Sequence, residues 1–252
     1  MPLGGLTVAL LSASVVLLAG STVGSARAAL TYYSENYGAQ VEVSKIGVSL
    51  EESNDKGKSY TKISKRNYIS NGKWDEATGD LLTGLKEEKI VPGKQYDEAL
   101  KVTNSGSIDS YVRVILKKSW TNKEGVKDTT LSPDLIDLNL NLKEGSGWVI
   151  DKNASTKERT ILYYTGILPA GKSTPALSNT LTIDKSIATK VTQDVKEEDG
   201  YKTITTTYAY DGYNFQLEAE ADAVQTHNAQ DAIKSAWGVD VDVDGNGNIS
   251  LR

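Results

Sequence analysis

A chain of 252 residues with a formal charge of −5 and a single histidine lacks the basic surplus that marks proteins bound to nucleic acid or to anionic membranes. It has no cysteine, which excludes thiol catalysis and disulfide staples; a chain this long buries roughly 70% of its unfolded surface, and that core must hold the fold. Thirteen tyrosines against one phenylalanine and one methionine put a polar tip on most aromatic side chains, which suits β-sheets with one wetted face, or contact surfaces.

Residues 6–19 form an almost unbroken apolar run, residues 20–25 are small and polar, and Ala26-Arg27-Ala28 fits the small-x-small rule for signal peptidase. A membrane span needs about 20 apolar residues and a stop-transfer pattern, so the expectation is a signal peptide over 1–28, a mature start at Ala29 and no stable membrane span afterwards. Residues 1–5 carry no Lys or Arg, so the basic part of such a signal is expected upstream of Met1.

The mature start is strand-like. Val41 and Val43, then Ile46, Val48 and Leu50, alternate with polar residues, with one break near Ser44-Lys45 that reads as a bulge. Residues 51–89 are polar and punctuated by Asn71-Gly72 and Thr78-Gly79-Asp80, which predicts a long surface insertion around short strands. Residues 96–120 read as a hairpin: Tyr96, Leu100 and Val102 lead into an Asn104-Ser-Gly-Ser107 turn, and a β-branched and aromatic run follows at 111–116. Alternation of Leu138, Leu140 and Leu142 with polar residues gives another strand, and more are expected at 148–150, 160–165, 180–183 and 203–210. The most regular alternation is at 213–223, with Tyr213, Phe215, Leu217, Ala219, Ala221 and Ala223 on one face and Asn214, Gln216, Glu218, Glu220 and Asp222 on the solvated other.

The period then changes from two to 3.6. Asn228 is placed to cap a helix over 228–237 with Ala229, Ala232, Ile233, Ala236 and Trp237 on its apolar side, and Gly238 stops it. Residues 239–252 form an Asp/Asn/Gly-rich tail. Many short, turn-punctuated strands predict an all-β fold, a jelly-roll or Greek-key β-sandwich over 29–238 with a long polar insertion and one short C-terminal helix.

Several motifs invite chemistry. Residues 166–173, Gly-Ile-Leu-Pro-Ala-Gly-Lys-Ser, fit the phosphate-cradling loop pattern, but Thr174-Pro175 follows where a helix is required, so a turn between strands is expected, as at Val91-Pro92-Gly93-Lys94. One histidine, His227, cannot build a His-Glu-x-x-His zinc site, there is no Gly-x-Ser-x-Gly, and no carboxylate pair stands out as a glycosidase dyad. The tail holds the one metal-like pattern. With Asp242 at position 1 of a calcium loop, Asp244, Asn246, Asn248 and Ser250 fall at the alternate ligand positions and Gly247 at the turn; the bidentate acid at position 12 is missing.

With its signal, the Val-Pro-Gly-Lys turn at 91–94 and the Leu-Lys-Val-Thr-Asn-Ser-Gly-Ser-Ile-Asp-Ser-Tyr-Val-Arg-Val segment at 100–114, the chain resembles the TasA/camelysin family of exported bacterial proteins. The insertion 51–89 and the C-terminal helix and tail depart from that pattern. The resemblance implies a jelly roll, signal-peptidase processing and display at the cell surface or in the biofilm matrix, where TasA-like members form fibres by N-terminal strand addition; camelysin-like members are described as metalloproteases, and no catalytic residue carries over.

The expectation is therefore a secreted, non-enzymatic matrix or surface protein that forms a homo-oligomer or fibre and meets other matrix proteins. Leu30, Tyr32, Val41 and Val43 would be the apolar residues of a donated strand. The alternatives are a Ca²⁺-dependent adhesive or ligand-binding module built on the tail, and a camelysin-like metalloprotease.

Overall fold

The computed structural model describes residues 45–86, 88–129, 131–189, 191–198, 201–208 and 212–252. The cleavage residues Ala26, Ala28 and Ala29 and the donor residues Leu30, Tyr32, Val41 and Val43 lie outside them, as does the bulge read at Ser44. The described chain is all-β, with antiparallel pairing throughout and a single α-helix.

The strands in chain order are β1 (Gly47–Ser53), β2 (Thr61–Ser70), β3 (Lys73–Thr78), β4 (Gln95–Asp97), β5 (Ala99–Asn104), β6 (Ser110–Thr121), β7 (Lys127–Asp128) and β8 (Ile136–Leu140). They continue as β9 (Trp148–Ile150), β10 (Arg159–Leu168), β11 (Ser178–Ile183), β12 (Val191–Glu198), β13 (Tyr201–Tyr208) and β14 (Asn214–Gln225). Helix α1 (Ala229–Trp237) and the hairpin β15 (Val241–Val243) and β16 (Ile249–Leu251) complete the chain.

One sheet runs in the order β3-β2-β1-β5 and another in the order β4-β11-β8. They merge into one layer, because main-chain bonds carry on past β11 from Leu177 N–H to the Leu100 carbonyl, from Thr174 to Val102 and from Asn104 to Lys172. The second layer is β14-β6-β10-β9, with β7 on the end of β6. One core takes side chains from both layers, among them Val48, Leu50, Leu100, Val102, Val114, Leu162 and Leu181. Trp120 and Trp148 are buried there with their indole N–H groups donated to the carbonyls of Ser132 and Pro175, which removes the cost of burying them.

Two sequence expectations change. Strands β5 and β6 flank the predicted turn, yet they do not pair: β5 pairs with β1, and β6 with β14 and β10, so residues 105–109 cross between layers. A hairpin and a crossing share the same local signals, strand, Asn/Gly turn, strand; burial on both faces of β6 decides for the crossing. The segment 51–89 is also more than surface, since it supplies the end of β1 and all of β2 and β3, and it lays Leu81, Leu82 and Leu85 on the core. Between β2 and β3 the Asn71-Gly72 pair takes positive φ angles of 51° and 73°, the geometry of a tight two-residue hairpin turn.

Strand β14 keeps the predicted alternation, with Leu217 buried and Glu218 and Glu220 exposed. The helix begins after Asn228, as expected, but Asn228 has left-handed geometry and makes no side-chain cap bond. Gly238 ends it at φ 72°, donating to the Lys234 carbonyl. Helix α1 and the β15–β16 hairpin cover the outer face of the second layer in a separate cluster of Tyr111, Ile161, Tyr163, Val224, Ile233, Val241 and Ile249.

Candidate functional site

The first layer is wider than the second. Directly paired antiparallel residues share a face, so the pairs Val48–Arg66 and Leu50–Ser64 put Arg66 and Ser64 on the core side of the sheet. The pairs Tyr68–Trp74, Arg66–Glu76 and Ser64–Thr78 carry that face out to β3. Among the described residues no strand pairs with β14 on the side toward it, and Trp74 is 40% exposed.

The face is organised by side chains. Tyr68 and Trp74 meet edge to face at 5.2 Å between ring centres, the Arg66 guanidinium lies 4.8 Å from the Trp74 ring, and it also pairs with Glu76 at 2.9 Å.

Strand β14 bounds this overhang. Among the described residues its 12-residue length pairs on one side only, with β6. A groove follows the other side. Its widest part, about 490 Å³, is lined by Ile63, Leu81, Leu82, Phe215, Leu217 and Ala219. It continues past Ala77, Ala219 and Ala221 and ends in a hollow of about 340 Å³ beside Ile46, Trp74, Ala223 and Trp237. The chain enters β1 at that end.

At the same end, Arg113 donates from Nε and Nη2 to Asp222 Oδ2 at 3.1 and 2.5 Å, and Arg66 Nη1 lies 3.9 Å from Asp222 Oδ1. Asp222 was read as one of three solvated acids; it is half-buried and holds two cations, while Glu218 and Glu220 stay exposed. Neighbouring Arg113 also faces the Trp237 ring at 5.2 Å. Nearby Tyr163 packs on Trp237, and burial raises its phenol above the ordinary value.

The calcium-like pattern folds as a hairpin. Asp242 in β15 and Ser250 in β16 are directly paired, and the Asp242 carboxylate is bound by Arg252, which holds it below the usual carboxylate range. Asp244 Oδ1 accepts the N–H groups of Asn246 and Asn248 at 2.8 Å, its Oδ2 accepts the Asn248 side-chain amide, and those bonds lower its pKa. Tyr111 Oη donates to the Gly247 carbonyl at 2.7 Å, tying the turn to β6. Both carboxylates are thus turned to an arginine and to amides. Among the described residues, no group of three or more His, Cys, Asp or Glu is placed to hold a metal ion.

Exposed His227 sits in the bend between β14 and α1. The 166–173 segment closes β10 and turns through Pro169, where Lys172 N–H meets the Pro169 carbonyl, into the stretch that becomes β11. The Val91–Lys94 turn forms as expected, with Lys94 N–H bonded to the Val91 carbonyl and Gly93 at φ 82°. No helix among the described residues is long and apolar enough to cross a membrane.

The sequence reading missed the overhang, because Arg66, Tyr68, Trp74 and Glu76 lie in the segment taken for an insertion. The signal was present: Asn71-Gly72 flanked by Tyr68 and Trp74 is a hairpin pattern. Comparison with protein-family models, with curated proteins and with solved structures returns no match.

Proposed function

We propose that this chain is an exported, non-enzymatic structural subunit of a bacterial cell surface or matrix, which forms fibres by strand addition around a jelly-roll domain, as the TasA-like proteins it resembles do. The observation that supports this reading is that, among the described residues, β14 pairs on one side only and lies beside the partly exposed face of β2 and β3. An added strand would satisfy the backbone groups of β14 and cover Tyr68 and Trp74 in one step. The occupant is residues 30–43 of a second copy, in which Leu30 and Tyr32 share one strand face and Val41 and Val43 the other, so that each pair would fill an apolar stretch on its own side of the added strand. Removal of residues 1–28 frees that segment and so acts as the assembly switch. Other matrix proteins with an extended apolar-alternating segment would compete for the same edge.

The test is electron microscopy of protein beginning at Ala29 beside protein lacking residues 29–38. Fibres in the first sample and monomers in the second are expected. Monomers in both would overturn the proposal.

A further inference from the structure

Two carboxyl groups are enclosed where β1 meets the β4–β5 junction and the 79–90 connection: Glu52 pairs directly with Leu100 and Ser53 with Ala99, which brings Glu98, two residues before Leu100, beside Glu52 at that edge. Glu98, between β4 and β5, is 0% exposed, and Glu52 on β1 is 2% exposed. Glu52 accepts the N–H groups of Leu82 and Thr83 and the hydroxyl of Thr83, which leaves a carboxylate lone pair for one further donor. These bonds fix the turn that lays Leu81, Leu82 and Leu85 on the core.

The Glu98 main chain is satisfied, with its N–H on the Asn179 carbonyl at 3.0 Å and its carbonyl on Ser178 Oγ at 2.9 Å. Its two side-chain oxygens, however, meet no donor from any other described residue. Two ionised carboxylates here would be like charges out of water; Glu52 has donors to offset its charge, and Glu98 has none.

Most charged groups on the surrounding elements have partners of their own. Glu51 pairs with Lys101, whose ammonium also lies over the Tyr60 ring; Asp80 pairs with Lys86, and Asp55 is bound by Ser53, Ser59 and main-chain amides. Asp97, half-buried in β4, is next in sequence, Glu88 pairs with Lys94 across the connection, and Ser178–Ile183 of β11 carries no charge.

We propose that Glu52 and Glu98 share one proton and form a latch: the protonated Glu98 hydroxyl donates to the Glu52 carboxylate, which in turn grips residues 82 and 83. Loss of that proton sets the two acids against each other and releases the turn from the core. The covalent change is one O–H bond on Glu98, made with a solvent proton on folding and broken to water on release.

Burial first, and then the charge and the bond of Glu52, push the Glu98 carboxyl up from 4.5 to about 9. Between those two values the folded chain holds a proton that the unfolded chain has given up. Stability therefore falls as pH rises through that window, by about tenfold in the unfolding equilibrium constant per pH unit, and levels off above it.

The test is a carbon-detected titration of the glutamate carboxyls in the full chain, together with melting curves from pH 5 to about 9. Expected are one carboxyl titrating near the upper end and a melting temperature that falls steadily across the range. Glu98→Gln, whose amide still donates to Glu52, should remove that titration and flatten this fall. If Glu98→Gln does not fold, Glu52→Gln takes its place: with the like charge gone, the Glu98 titration should move down toward the ordinary range. A Glu98 that titrates with the exposed glutamates, a Glu98→Gln profile parallel to the parent, or a melting temperature raised by added Ca²⁺ or Mg²⁺ in the parent and not in Glu98→Gln would each overturn the shared proton.

Discussion

Asn104 is the residue on which the crossing between layers turns. It is fully buried, and its side-chain amide donates to the carbonyls of Ile108 and Leu168 at 2.8 and 2.9 Å while its oxygen accepts the Gly106 N–H at 3.0 Å. Three bonds thus fold residues 104–108 tightly enough to leave one layer and enter the other. Gly106 lies against the backbone of Lys45 and Gly47, where a Cβ would overlap main-chain atoms. Asn104→Ala should cost about 2–4 kcal/mol, since it removes three bonds, one of them to the buried Leu168 carbonyl; urea melts measure it, and a loss under about 1 kcal/mol would mean that water replaces the amide. The opposite case is the exposed Asp242–Arg252 pair, which is screened by solvent and adds little. With Asp242 and Asp244 already bound, added Ca²⁺ should leave the melting temperature where EDTA leaves it, and a rise would show that the hairpin opens to take the ion.

At the scale of elements, the strand pattern was legible where one face is wet, and less so where both are covered. β14 could be read almost residue by residue because Glu218 and Glu220 stay in water while Leu217 does not. β6 read as a strand, but its partners were hidden: Val112 and Val114 face the core, Tyr111 lies under the α1 cluster, and no polar alternation marks which neighbour it pairs with. The tail is ambiguous for a different reason, since Asp, Asn and Gly at alternate positions suit a tight hairpin turn as well as a cation loop. The free edge of β14 was hidden because it depends on two layers having unequal width, which no local pattern records. Trp74→Lys tests that edge. An exposed site costs about 1 kcal/mol or less of folding stability, whereas a charge in place of the indole should block strand addition. Melting near the parent value with no fibres in the microscope is expected; parent-like fibres would place the acceptor elsewhere.

For the whole molecule, two sets of carboxyl groups pull stability in opposite directions with pH. Asp80, Asp134 and Asp242 have pKa values lowered from 3.8 by their bonds to Lys86, Lys157 and Arg252, and Asp184 and Asp244 are lowered by Ser186 and Asn248. A lowered acid stabilises the fold above its unfolded value and stops doing so as pH falls through its folded one, so these groups weaken the protein below about pH 4. Each is exposed, so each contributes little alone. Glu98 acts the other way: raised from 4.5 to about 9, it makes the folded chain progressively less favoured as pH climbs between those values. The two trends leave a maximum on the acid side of neutrality, roughly between pH 4 and 5, instead of the broad neutral plateau of an ordinary acidic protein. Melting temperatures measured from pH 3 to about 9 should trace that asymmetric peak, and Glu98→Gln should turn its alkaline slope into a plateau while leaving the acid limb in place. A parent profile that is flat from pH 5 upward would mean that the latch proton is not held, and that the core tolerates both carboxylates in some other way.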